Sequence, residues 1–202
     1  ASARDSLRRA QGIEHEIVVA AAYVIEMLLD AIPEPPATVD WMPDDSFPTG
    51  IEGPVVGPEG SLYAVNFERQ GSIGKVTEQN QGERWVDLPE GSIANSLRFD
   101  TAGQLWAADY TGHNLIRLNP RTSDIIATYH EPRMHQPNDI ALTRWGAIFA
   151  TDPDWANNSG QLWRMDPGGE FTLLETGMGT TNGIELSPDE RRLYVNESVQ
   201  RR

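Results

Sequence analysis

The spacing of apolar residues changes character along the chain. Over residues 12–32, GIEHEIVVAAAYVIEMLLDAI, apolar side chains cover most of a helical circumference and leave a narrow polar stripe of His15, Glu26 and Asp30. That pattern predicts one helix that wants burial, either on the main domain or against a partner helix. Pro33, Pro35 and Pro36 follow and end it, because proline lacks the donor a helix needs. Residues 33–48 read as a Pro-rich, extended linker. From Ile51 the apolar runs become short and are punctuated by turn residues, which predicts strands over 96–99, 105–109, 115–118 and 125–129, then over 140–142, 148–151, 161–165 and 171–174. The expected division is residues 1–40, helix and linker, and residues 41–202, an all-β domain.

The strand pattern repeats. IEGPVVGPEGSLYAVNF from Ile51, ANSLRFDTAGQLWAADY from Ala94, PNDIALTRWGAIFATDP from Pro137 and TNGIELSPDERRLYVNES from Thr181 align without strain. Each carries a polar residue in second place, Glu52, Asn95, Asn138 and Asn182, at separations of 43, 43 and 44 residues. Turns follow at Gly57 to Ser61, Asp100 to Gln104, Thr143 to Ala147 and Ser187 to Arg192. Four short strands per unit of this length is the pattern of a β-propeller blade. About three and a half blades are expected, with VQRR at residues 199–202 beginning a third strand. In a propeller the first strand of each blade lines a central channel, so the four polar residues belong to one ring at its mouth. Taken singly, each could instead be a turn or cap residue.

Composition narrows the chemistry. The net charge of −14 gives no basic patch for nucleic acid or an anionic membrane surface, and neither is expected as a partner. There is no cysteine, hence no thiolate ligand, thiol nucleophile or disulfide. The longest uncharged apolar run, Ile17 to Ile25, is far short of the roughly 20 residues a spanning helix needs. No signal-peptide pattern is evident at the start, and compartment and oligomeric state stay open. The sequence contains no G-x-S-x-G elbow and no phosphate-binding glycine loop. What remains is the ring: one carboxylate and several amide oxygens, all suited to a hard cation. Calcium takes six to eight oxygen ligands at roughly 2.3 to 2.6 Å; zinc suits this set less, with no histidine in it. His130 and His135 could move protons, and Asp109 and Asp152, which end second strands, read as residues that fix turns.

IEGPV, QPNDIAL…IFATDP and TNGIELSPDERRLYV resemble the gluconolactonase, regucalcin (senescence marker protein) and luciferin-regenerating enzyme family, in its bacterial gluconolactonase branch. The resemblance runs from about Gly50 onward and implies a six-bladed propeller with a divalent cation, usually calcium, at the channel mouth. Zinc, magnesium and manganese are the alternatives. It implies hydrolysis of small lactones; a phosphotriesterase or other esterase on the same metal, and a non-catalytic binding platform, are the competing readings. By the same resemblance Glu52 and Asn182 are direct metal ligands, and Asn138 faces the metal directly or through water and touches substrate. Asn95, in the ring by its period and given no clear metal role by the family pattern, is read as a pocket residue with Gln136, Asp139 and His135. Gln136 stands where some members carry arginine. The family's aspartate, both ligand and general base, would fall one repeat beyond Asn182, past Arg202. The chain therefore reads as a fragment, with no catalytic base of its own and no expected activity by itself.

Overall fold

Each alternating run from Val55 onward becomes one strand of an antiparallel meander. A computed structural model describes residues 38–202, and the helix predicted over residues 12–32 lies outside the described residues. The chain divides into the units Ala1–Val39 and Asp40–Arg202; every strand among the described residues lies in the second. Sheet one contains β1 (Val55–Val56), β2 (Leu62–Val65), β3 (Ser72–Glu78) and β4 (Gln81–Asp87). Sheet two contains β5 (Ala94–Phe99), β6 (Leu105–Asp109), β7 (Asn114–Leu118) and β8 (Ile125–His130). Sheet three contains β9 (Ile140–Leu142), β10 (Ile148–Asp154), β11 (Ser159–Met165) and β12 (Phe171–Met178). Sheet four pairs β13 (Thr181–Leu186) with β14 (Leu193–Glu197). Within every sheet, neighbours in space are neighbours in sequence. The first strands adjoin in turn, β1 against β5, β5 against β9 and β9 against β13.

The repeat seen in the sequence is a repeat of hydrogen bonds. Each first hairpin is closed by the same bond, Gly57 N–H to Ser61 O, Asp100 to Gln104, Thr143 to Ala147 and Ser187 to Arg192, at 2.8 to 2.9 Å. A second device recurs one strand further out. Tyr63 pairs in register with Lys75, Trp106 with Arg117 and Phe149 with Arg164. Lys75 Nζ lies 5.4 Å from the Tyr63 ring centre and the Arg117 guanidinium 5.8 Å from that of Trp106, within the range where a cation is attracted to a π face.

Apolar side chains pack between sheets. Tyr63, Val65 and Ile73 of sheet one meet Leu97, Leu105, Ala107, Ile116 and Leu118 of sheet two. Trp106, Ala108 and Leu115 of sheet two meet Ile140, Ile148, Ala150, Trp163 and Met165 of sheet three. The tryptophans divide accordingly: Trp106 and Trp163 are buried, whereas Trp41 and Trp145 are exposed. Tyr194 holds the place of Tyr63 and Trp106 in the two-stranded sheet and is 56% exposed.

Two expectations need correction. The described part of the predicted linker is not free: Trp41 O accepts the Asn80 N–H at 2.8 Å, Ser46 O accepts that of Glu68 at 3.0 Å, and Phe47 meets Phe67 edge to face at 4.9 Å. Backbone hydrogen bonds and the half-buried Phe47 ring hold the segment against sheet one, which its proline content concealed. Residues 198–201 form a turn, not the start of a strand. Glu197 and Arg202 exchange backbone hydrogen bonds at 2.7 and 3.4 Å, so the turn occupies the residues that follow Asp109 in sheet two.

Candidate functional site

The four residues in second place of the repeat lie at the same end of four consecutive first strands. Glu52 is exposed, three residues ahead of β1, and its carbonyl accepts the Val65 N–H at 3.2 Å. Asn95 is half-buried in β5. Asn138 precedes β9, is 5% exposed, and donates its N–H to Thr151 O at 2.8 Å. Asn182, half-buried in β13, receives the Thr151 hydroxyl on its carbonyl at 2.5 Å. Thr151 thus ties the Asn138 and Asn182 backbones together. Glu52 is brought to Asn95 by Gly53, whose φ is +55° and where an added Cβ would meet Ser96 Cα at 2.6 Å and Asn95 O at 2.9 Å. Only glycine permits that approach.

Asp139, read from the sequence as a pocket residue, is the joint between sheets. Its carboxylate meets Arg98 of sheet two at 3.2 Å, accepts the Ile184 N–H of sheet four at 3.1 Å and takes its own neighbour's N–H, from Ile140, at 2.9 Å. One repeat earlier Ser96 holds the same place, but the Ile140 N–H is already taken, and the Ser96 Oγ is buried without a partner. His135 is exposed and its backbone N–H is held by Asp152 at 2.8 Å. Gln136 spans two sheets: its Nε2 donates to the Tyr110 hydroxyl at 2.6 Å and its Oε1 accepts the Trp155 N–H at 3.4 Å.

A second set of repeat residues sets the height of the first. Asp109 and Asp152 do fix the chain where second strands end, and Asn66 and Glu197 share the task, at separations of 43, 43 and 45 residues. All four are buried. Asn66 donates to Gly50 O at 2.6 Å. Asp109 accepts from Ser92 Oγ at 2.8 Å and from the Ile93 N–H at 3.2 Å. Asp152 Oδ1 accepts the His135 and Gln136 N–H groups at 2.8 and 2.6 Å, and its Oδ2 accepts Trp163 Nε1–H at 3.1 Å. Each side chain grips the segment that leads into a first strand, two to three residues before the ring. Burial pushes the Asp152 carboxyl above the ordinary aspartate range, against those three hydrogen bonds, which pull it down. Arg202 holds Glu197 below its ordinary range. The signal was present as AVNF, AADY, ATDP and YVNE, polar residues closing apolar strands at the same period.

The ring's donor atoms are left free. The amide of Asn138 has no hydrogen-bond partner among the described residues, nor has the Glu52 carboxylate. Asn182 Nδ2 donates to Ser198 Oγ at 2.9 Å, which engages the nitrogen, while its Oδ1 has no partner among the described residues. These oxygens fit a hard cation. Among the described residues no three His, Cys, Asp or Glu side chains group as metal ligands would, so a cation here would rest on amide oxygens and one carboxylate.

Comparison with known proteins bears on this arrangement. A model of the SMP-30/Gluconolactonase/LRE-like region matches residues 51–202. The gluconolactonase of Zymomonas mobilis subsp. mobilis is 30% identical over 119 residues, 52% of this chain and 33% of that protein. A pentonolactonase of Haloferax volcanii is 33% identical over 64 residues, 32% of this chain and 22% of its own length. The chain therefore spans a third or less of the curated relatives it matches. A crystal structure of a gluconolactonase from Xanthomonas campestris superposes with a TM-score of 0.62 at 21% identity, covering 76% of this chain and 56% of that one; this is a likeness of fold.

Proposed function

Because the chain belongs to the SMP-30/gluconolactonase/LRE-like family, we propose that the complete protein hydrolyses small lactones at the mouth framed by Glu52, Asn95, Asn138 and Asn182, on a six-bladed propeller. The observation that carries this is the Asn138 amide, on a residue only 5% exposed and without a protein partner among the described residues, set beside an Asn182 amide whose nitrogen is tied down and whose oxygen is free. Amide oxygens left without protein partners at one end of adjoining first strands suit a hard cation. Lactonases among the relatives support the substrate class.

In this reading Glu52 supplies the formal negative charge of the cation site, with Asn138 and Asn182 as oxygen ligands. When bound, a divalent cation, calcium by the hardness of the donors, supplies polarisation of the lactone carbonyl and stabilisation of the developing oxyanion. Ser198 fixes which end of the Asn182 amide faces the mouth. Thr151 and Asp152 hold the backbone on which Asn138 sits. Asparagine cannot take a proton, so activation of water falls to a carboxylate, expected one repeat beyond Asn182.

The test is a pH-stat assay of the complete protein on aldonolactones, after chelation and with calcium restored. Hydrolysis should vanish with the chelator and return with calcium, and Glu52→Gln should lower calcium affinity at least tenfold by calorimetry, with activity at limiting calcium falling in parallel. Activity untouched by thorough chelation would sink the cation, and absence of hydrolysis on every lactone tried would sink the reaction.

A further inference from the structure

Tyr110 follows β6 directly, and its N–H donates to Ile93 O at 2.8 Å, two residues before Asn95. Gln136 likewise stands two residues before Asn138. The two side chains meet across the gap between sheets two and three at 2.6 Å, with the amide nitrogen donating. Asp152 fixes the Gln136 backbone at 2.6 Å, and the Trp155 N–H reaches its Oε1 at 3.4 Å. The phenolic oxygen is therefore an acceptor to Gln136, and its own proton has no acceptor among the described residues. Tyr110 is half-buried, and its bond to Gln136 is part-buried. A fixed donor with nothing to donate to, one layer outside the ring, is a contact built for something that enters the mouth.

The charge around it is also informative. The arginines nearest in sequence to Asn95 and Asn138 are both neutralised, Arg98 by Asp139 at 3.2 Å and Arg133 by Glu131 at 2.7 Å. Of the other rim groups, Asn95, Tyr110, Gln136 and Ser198 are uncharged, Glu52 is a carboxylate and His135 an exposed imidazole. We infer that Tyr110, oriented by Gln136, contacts the substrate directly and donates its phenolic proton to a hydroxyl oxygen of an uncharged, hydroxyl-bearing lactone. This rests on the lactonase reading above, with Gln136 as the positioning residue. A carboxylate or phosphate on the substrate would find no free guanidinium beside Asn95 or Asn138, and sites that hydrogen-bond a hydroxyl discriminate strongly against analogues that lack it.

The experiment uses the complete protein, with glucono-δ-lactam as a non-hydrolysable probe in calorimetry beside steady-state kinetics on glucono-δ-lactone and on the unsubstituted δ-valerolactone. Tyr110→Phe should weaken lactam binding and raise KM for the sugar lactone about tenfold, the effect of one lost hydrogen bond of about 1.4 kcal/mol, with kcat within about twofold. KM for δ-valerolactone should not move. Gln136→Arg should break the Tyr110 contact and shift preference toward lactones carrying a carboxylate by at least tenfold. A Tyr110→Phe protein that binds the lactam as tightly as the parent overturns the inference, as does an equal loss on both lactones, which would mark Tyr110 as structural. If the parent binds the lactam, the variant binds it tenfold less, and neither hydrolyses lactone, the contact stands and the reaction assigned above falls.

Discussion

Asp152 shows how one side chain can serve position at the expense of charge. It has no exposure to solvent, and three donors satisfy it without restoring its ordinary acidity. Its folded pKa is raised, so the folded state holds the proton more tightly than the unfolded chain does. The stabilisation from this is complete below the unfolded value of about 3.9 and is lost as pH rises through the higher folded value. Asp152→Asn removes the titration, keeps one oxygen for the two backbone donors and turns an N–H toward Trp163 Nε1, which still has Gln161 Oε1 at 2.9 Å. The variant is therefore expected to fall about 1 kcal/mol below the parent near pH 4 and to approach it near pH 7. Urea midpoints at the two pH values check this, and a gap that widens toward neutrality would contradict the assignment.

Strands were the most legible level, because alternation survives in residues such as Leu105 to Asp109 whatever their neighbours do. Ends were less so: β10 runs past Ala150 to Asp154, and β12 runs through Glu175, Thr176 and Gly177 to Met178, because their backbone ladders continue across residues without apolar side chains to announce them. The joints between sheets were not legible at all. Asp139 looks like a turn residue in PNDIAL, and only its spatial neighbours, Arg98 and Ile184, reveal a clasp. Gly53 is the comparable element between sheets one and two. Gly53→Ala combines about 1–2 kcal/mol of left-handed strain with a clash against the Ser96 and Asn95 backbone. It is expected to lower the melting temperature by several degrees and to weaken calcium binding through Glu52. Circular dichroism melts and calorimetry on one preparation read both effects, and an unchanged calcium affinity would separate Glu52 from Asn95.

Stability in this molecule is shared between adjacent sheets, so the cost of a truncation depends on where its sheet stands. Trp163 is buried between sheets two and three, and Trp163→Ala is expected to cost about 3–5 kcal/mol. Tyr194, in the two-stranded sheet and 56% exposed, is expected to cost under about 1 kcal/mol on truncation to alanine. Chemical denaturation of both variants decides it; equal losses would mean that Tyr194 is covered in solution. The shared place of Glu52, Asn95, Asn138 and Asn182 could be anticipated at this scale because a fixed period sets equivalent residues at one end of adjoining strands. Tyr110 could not, since the equivalent places of the first and third repeats hold Phe67 and Pro153, which carry no hydroxyl, and it acquires meaning only through Gln136.

The buried acids and amides that close the second strands make each repeat two things at once. Asn66, Asp109, Asp152 and Glu197 set where a first strand begins, while Glu52, Asn95, Asn138 and Asn182 decide what that beginning offers. Foundation and lettering are carried by different residues of the same unit. A mouth built this way can be rewritten one letter at a time, and the lineage of such a protein can explore new ligands without first loosening its walls.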